Sequence, residues 1–194
     1  MPAPLLRIAT DADAGRCLAV LTLAFGSDPP FRWLWPDPQQ YLEGFPRYAR
    51  ALVGSALKQG TAHYAEGFSG VALSRPPGVE PDEAALMGVL QETVAQERQG
   101  ALFALAEQSR AFRPPEAHCY LQLIGVDPAH QGKGIGSALL SQILNDCDAQ
   151  RLPAYLEATS PRNLPLYKRH GFEALGRIQV ADSPPVVPMR RNPK

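Results

Sequence analysis

Apolar and polar positions divide this chain into short alternating runs and longer helical stripes. Residues 5–9 alternate as a first strand. Thr10, with Asp13 at the third helical position, then predicts a helix start, and Leu18, Leu21 and Phe25 are spaced to face a core. Gly26-Ser27-Asp28-Pro29-Pro30 predicts the end of that helix, and its paired prolines predict a loop. Aromatic residues follow in a cluster: Phe31, Trp33, Trp35, Tyr41, Phe45 and Tyr48, with a second helix over residues 37–57. Such a cluster reads first as core and second as the lining of a ligand pocket. Residues 61–66 and 70–74 predict two strands joined by a turn at 67–69. Pro76-Pro77-Gly78 breaks the pattern. Leu86, Val89, Leu90 and Val94 then mark one stripe of a helix over 82–99. Gly100 is expected to interrupt it, with a further helix over 102–111 before Pro114-Pro115.

The pattern sharpens from His118. Residues 118–126 predict a central strand with Tyr120, Gln122, Ile124 and Val126 on one face, and Gly125 predicts a bulge or a close backbone approach. A turn at Asp127-Pro128 leads to Gln131-Gly132-Lys133-Gly134-Ile135-Gly136-Ser137. Ile135, Leu139, Ile143 and Cys147 then form the buried stripe of a helix. Residues 153–159 predict the next strand, so strand, helix and strand make a parallel crossover. Asn163 predicts the cap of a short helix through His170, with Pro165 in its first turn and Gly171 as its stop. Residues 172–180 and 186–191 predict closing antiparallel strands. Nothing resembling a linker divides the chain, so a single domain over 1–194 is expected.

Composition narrows the class. At 194 residues the chain can bury a sizeable core, and its 45% hydrophobic and 20% charged content is that of an ordinary globular protein. Its formal net charge of zero gives no global field for nucleic acid or membrane. Cys17, Cys119 and Cys147 lack metal-ligand spacing and read as core residues in a reducing compartment. No basic-then-apolar leader and no membrane-length apolar run is seen, so a cytoplasmic location is expected.

The glycine-rich turn between strand and helix supplies the chemistry. Glycines keep side chains off the backbone, and a helix N-terminus offers unpaired N–H groups and positive dipole. A phosphorylated ligand is predicted there. The spacing excludes two common classes: Gly132, Gly134 and Gly136 run G-x-G-x-G, not the dinucleotide G-x-G-x-x-G, and no Walker loop occurs. What fits is Q-x-x-G-x-G, from Gln131, Gly134 and Gly136.

That pattern, Ile124-Gly125-Val126 before it, the strand from Tyr155 to Thr159, and Asn163 through Tyr167 to Gly171-Phe172 together resemble the GNAT family of N-acetyltransferases. The resemblance covers about 118–193. The runs from His130 to Gly134 and from Ser160 to Tyr167 resemble the puromycin N-acetyltransferase branch in particular. It implies an α/β fold, a central splayed mixed sheet flanked by helices, with residues 118–194 as the acetyl-CoA core and 1–117 shaping the acceptor site. It also implies that Ile124 and Val126 pair with the pantetheine arm of acetyl-CoA. Gln131, Gly132, Lys133, Gly134, Ile135, Gly136 and Ser137 would hold the pyrophosphate, with Asn163 contacting the co-substrate further along. Tyr167 matches the tyrosine that protonates the departing thiolate, and no metal is called for.

A primary amine attacking a thioester needs a general acid and a base. Tyr167 suits the acid. Glu157, within a strand, and His118, at the start of one, are the candidate bases. Their other readings are a hydrogen-bonded structural carboxylate and a backbone-bonded histidine. Arg162, Lys168, Arg169 and His170 read first as a solvated basic face and second as a contact for the 3′-phosphate region of CoA. The expected acceptor is a small-molecule amine, taken up by a monomer or homodimer. Two alternatives stay open: a protein or peptide N-acetyltransferase, and a non-catalytic acyl-CoA sensor.

Overall fold

The computed structural model describes residues 4–80 and 82–194. A seven-stranded mixed sheet comprises β1 (Leu6–Ile8), β2 (Ala62–Ala65), β3 (Gly70–Arg75), β4 (Cys119–Val126), β5 (Ala154–Ala158), β6 (Glu173–Ala174) and β7 (Val187–Arg191). Its order is β1-β2-β3-β4-β5-β7-β6. Every neighbouring pair is antiparallel except β4 and β5, which run parallel. Against one face pack α1 (Ala14–Ala24), α2 (Pro29–Leu34), α3 (Pro38–Lys58), α4 (Glu83–Thr93) and α5 (Gln96–Phe112). Against the other lie α6 (Ile135–Ala149) and α7 (Leu164–Arg169). Two apolar clusters, one per face, make the core.

Local chemistry explains most boundaries, and it also corrects several expectations. Thr10 and Asp13 do form a reciprocal cap. Pro29-Pro30 does not mark a loop. Asp28 accepts the Phe31 N–H at 3.3 Å, and the two prolines open α2 where no N–H is needed. Asp37 caps α3 in the same way, accepting from Gln39 and Gln40. The break in the second helical region falls at Val94-Ala95, not at Gly100, which lies inside α5. There Val94 is extended, and the Gln99 amide satisfies the freed carbonyls of Gln91 and Val94. Asn163 makes no side-chain cap bond to α7. The closing strands are shorter than expected: β6 has two residues, followed by a lone bridge between Ile178 and Val186.

The most consequential correction concerns β4. Leu73 pairs with Leu123, but its neighbour Ser74 pairs with Leu121, so Gln122 is an extra residue bulged from β4. The bulge inverts the alternation. Cys119 and Leu121 face α6, whereas beyond the bulge Leu123 faces the α1–α3 side and Ile124 and Val126 face α6. Tyr120 and Gln122 therefore do not share a face with Ile124 and Val126. Gly125 is instead a point of close approach, because a Cβ there would lie 2.7 Å from the Ala24 Cβ of α1.

Candidate active site

Parallel pairing of β4 with β5 is confined to Cys119–Ala154, Tyr120–Tyr155 and Leu121–Leu156. Beyond those pairs the strands part, so the edge of β4 beyond Leu121 has no strand beside it. Asp127 donates its N–H to Ser69 at the β3 end, 3.0 Å away. Strand alternation then turns the backbone groups of Ile124 and Val126 toward the gap. The Val126 carbonyl takes a hydrogen bond from the Gln131 amide at 3.2 Å.

The loop beyond is built to expose amides. Asp127 accepts the Ala129 N–H at 2.8 Å, fixing the first turn. Gly132 and Gly134 then adopt φ of 75° and 80°, a left-handed conformation that costs other residues. Among the described residues, no backbone N–H from 131 to 137 donates to a backbone or side-chain acceptor. These amides sit at the positive end of the 15-residue α6. They line a cleft of about 650 Å3 that also takes in Ile124, Val126, Asn163 and Tyr167. Lys133 does not reach it, since its ammonium turns back to the Ala129 carbonyl at 3.3 Å. Arg162 and Arg169 are exposed, as a solvated face requires, and also border the cleft. Ser137 Oγ lies 2.7 Å from His170 Nε2, and burial, with help from Arg169, pushes that imidazole below its ordinary pKa. Unpaired amides, two guanidinium groups and an open strand edge fit an anionic diphosphate with an extended amide-bearing arm.

Tyr167 stands at the inner end of the cleft, 5% exposed and edge-on to Phe172 at 6.0 Å. Burial, and then the charge of Asp28, raises its hydroxyl pKa. Asp28 was hidden in the sequence inside an apparent helix-ending run. It is 7% exposed, caps α2, accepts the Thr159 hydroxyl, and lines the same cleft. Burial pushes its own carboxyl upward against those hydrogen bonds. An aspartate before two prolines signals a cap, but no local pattern brings residues 28 and 159 together.

A second cavity of about 260 Å3 includes Phe31, Tyr48, Tyr120, Gln122 and Glu157 in its wall. Glu157 accepts the Tyr155 hydroxyl at 2.9 Å and is hydrogen-bonded by Ser109. Burial, reinforced by Glu157, raises Tyr48 to about 12. His118 does not join Glu157 in lining this cavity: its Nδ1 lies 2.8 Å from the Glu116 carbonyl. Nor does a wall of Phe31, Trp33 and Trp35 form. Trp35 is wholly buried and donates to Thr93, while Trp33 lies under Arg98 away from the cavity. Cys17, Cys119 and Cys147 are buried and unbridged.

A family profile described as an acetyltransferase (GNAT) domain matches residues 82–193. Among curated proteins, the N-alpha-acetyltransferase RimI of Mycobacterium tuberculosis is 39% identical over 92 residues, covering 43% of this chain and 57% of that one. An uncharacterized N-acetyltransferase of Schizosaccharomyces pombe is 43% identical over 53 residues, covering 27% of this chain and 22% of that one. The chain thus spans less than two thirds of either relative. A Corynebacterium glutamicum crystal structure, described as histone acetyltransferase HPA2 and related acetyltransferase, superposes with a TM-score of 0.69 at 29% identity. It covers 100% of this chain and 98% of that one. The agmatine N-acetyltransferase fold also superposes, with a TM-score of 0.69 at 15% identity over 98% of this chain and 100% of that one.

Proposed function

The chain belongs to the GNAT acetyltransferase family, and on that premise we propose that it is an acetyl-CoA-dependent N-acetyltransferase acting on a small primary amine. The observation that supports this most directly is the parted pair β4–β5, with an amide-lined cleft on one side and a carboxylate-lined cavity on the other. The amides of 131–137, with Arg162 and Arg169, would hold the diphosphate, and the free edge at Ile124 and Val126 the pantetheine arm. Asn163, further along the cleft, would contact the co-substrate. Acetyl-CoA supplies an acyl group on a thiolate leaving group.

The residues have to move two protons. Glu157 would accept one from the ammonium of the acceptor, freeing the nitrogen lone pair to form the new C–N bond. As the C–S bond breaks, Tyr167 would give its proton to the sulfur, and the second proton shed by the nitrogen would restore the tyrosine hydroxyl. Asp28 disfavours the tyrosinate and so keeps that proton in place. The Val126 N–H, on the free edge, would stabilise negative charge developing on the acyl oxygen. The acceptor cavity is smaller than the roughly 300–1,000 Å3 of drug-sized pockets, which favours a small amine. Likeness to RimI favours a second reading, a peptide N-terminus as acceptor.

Thermal melting separates the reading from its rivals. Acetyl-CoA at about 100 times its Kd should stabilise the fold by about 2.7 kcal/mol, which is several degrees for a chain of this size. Free CoA should do likewise and a nicotinamide dinucleotide should not. Absence of a shift with either CoA species would overturn the proposal.

A further inference from the structure

The acceptor cavity holds more positive charge than its own acids neutralise. Arg75 and Arg113 both line it, on β3 and just past α5, and their guanidinium carbons lie 5.2 and 5.8 Å from the centre of the Tyr120 ring. Among the described residues, Arg75 makes no hydrogen bond and no ion pair. Glu83 is closer to Arg110, at 2.9 Å, than to Arg113, at 3.6 Å, and the Arg113 Nε is buried without a partner. Glu157 takes both Tyr155 and Ser109 on Oε1, which leaves Oε2 free, but with Glu83 it sets only two carboxylates against Arg75, Arg110 and Arg113 in the wall. Burial first, and then the like charge of Arg113, pushes the Arg75 guanidinium below its ordinary pKa, against the weaker opposing pull of Tyr120, Glu80 and Glu83.

We propose that Arg75 and Arg113, gathered at Tyr120, form an anion clamp in the acceptor cavity, so that the substrate is an amine that also bears an acidic group. This rests on the acetyl-transfer reading above. A guanidinium fork matches a planar carboxylate or a phosphonate-like anion with paired hydrogen bonds, and both forks lie at the same ring. Glu157, in the same wall, suits the ammonium end. Leu52, Leu86, Leu90 and Leu105 give the remainder of the wall an apolar character. An apolar amino acid or its phosphonate counterpart has that distribution of groups; a simple arylalkylamine lacks the anion.

Four acceptors with one ring and one amine test it: L-phenylalanine, its phosphonate analogue, L-phenylalaninamide and 2-phenylethylamine, assayed by thiol release at saturating acetyl-CoA. The acids should exceed the two acceptors that lack an anion in kcat/KM by about tenfold or more, mainly through KM, the size of effect a charge-assisted hydrogen bond confers. The better of the two acids identifies carboxylate or phosphonate as the preferred anion. Arg75→Gln, with folding checked by its melting temperature, should shrink that ratio by about tenfold. Equal or better turnover of the two acceptors that lack an anion, or a ratio untouched by Arg75→Gln, would overturn the clamp. Melting with L-phenylalanine against L-phenylalaninamide, without acetyl-CoA, reads the clamp even if no acceptor is turned over, and equal shifts there also overturn it. Loss of the acetyl-CoA melting shift would instead strike the transfer reading.

Discussion

Two buried acids line the inner end of the cleft, and the charge of Asp28 acts on Tyr167. Asp28 is held by Thr159 and by the first turn of α2, yet burial still drives its carboxyl upward. Its charge in turn adds to the burial that keeps Tyr167 protonated. A proton donor in that setting should matter to turnover and little to stability, because the Tyr167 ring packs on Phe172 with or without its hydroxyl. Tyr167→Phe is therefore expected to lower kcat by about 10²–10⁴ while leaving the acetyl-CoA melting shift in place. Steady-state thiol release, run beside melting, makes the comparison. A variant within about twofold of the parent would remove Tyr167 from the proton-transfer path.

Among the elements, β4 contributes to both cavities because a single bulge redirects it. Before Gln122 the strand presents Tyr120 to the acceptor cavity; after it, Ile124 and Val126 border the cleft. Helix α1 lies so close beyond the bulge that only glycine fits at position 125. An added Cβ would meet Ala24 at 2.7 Å and Leu21 at 3.3 Å. Gly125→Ala should cost about 1–3 kcal/mol by overpacking. It should also weaken acetyl-CoA by displacing the neighbouring edge of β4. Urea unfolding and ligand melting would read the two effects, and an unchanged unfolding midpoint would mean that α1 gives way without cost.

Across the whole molecule, the C-terminal strand is tied back to the helix that follows the amide loop. Arg191 of β7 is 4% exposed and binds both oxygens of Asp148 on α6, at 2.8 and 2.7 Å; it also donates to the His170 carbonyl at 3.0 Å. The Arg191 hydrogen bonds hold the Asp148 carboxyl down at about 2. Because the folded value lies below the unfolded value of about 3.9, the stabilisation is complete above pH 4 and is lost as pH falls toward 2. Asp148→Asn should lose roughly 3 kcal/mol at neutral pH, since a buried guanidinium keeps its desolvation without its partner. It should also lack that part of the acid-induced fall. Urea unfolding of both proteins from pH 7 downward tests this, and parallel curves would argue against it.

How much of this was legible beforehand follows from the range of each interaction. The amide loop, the cap at Thr10, the strand at 154–158 and the position of Tyr167 depend on residues a few places apart, and sequence patterns report such contacts. The loop's glycines at 132 and 134 were readable because their backbone conformation excludes other residues. Elsewhere local pattern misled: Pro29-Pro30 looked like a loop but opened a helix, and regular alternation hid the bulge at Gln122. Asp28 beside Thr159, Arg113 beside Tyr120, and Arg162 and Arg169 in the cleft depend on distant segments meeting, which no spacing encodes. By itself, then, the sequence determined the family, the anion-binding turn and the order of elements, all set by local backbone preference and hydrophobic period. Only the tertiary structure decided which acids and cations share a cavity, because burial and long-range pairing set their partners and their charge.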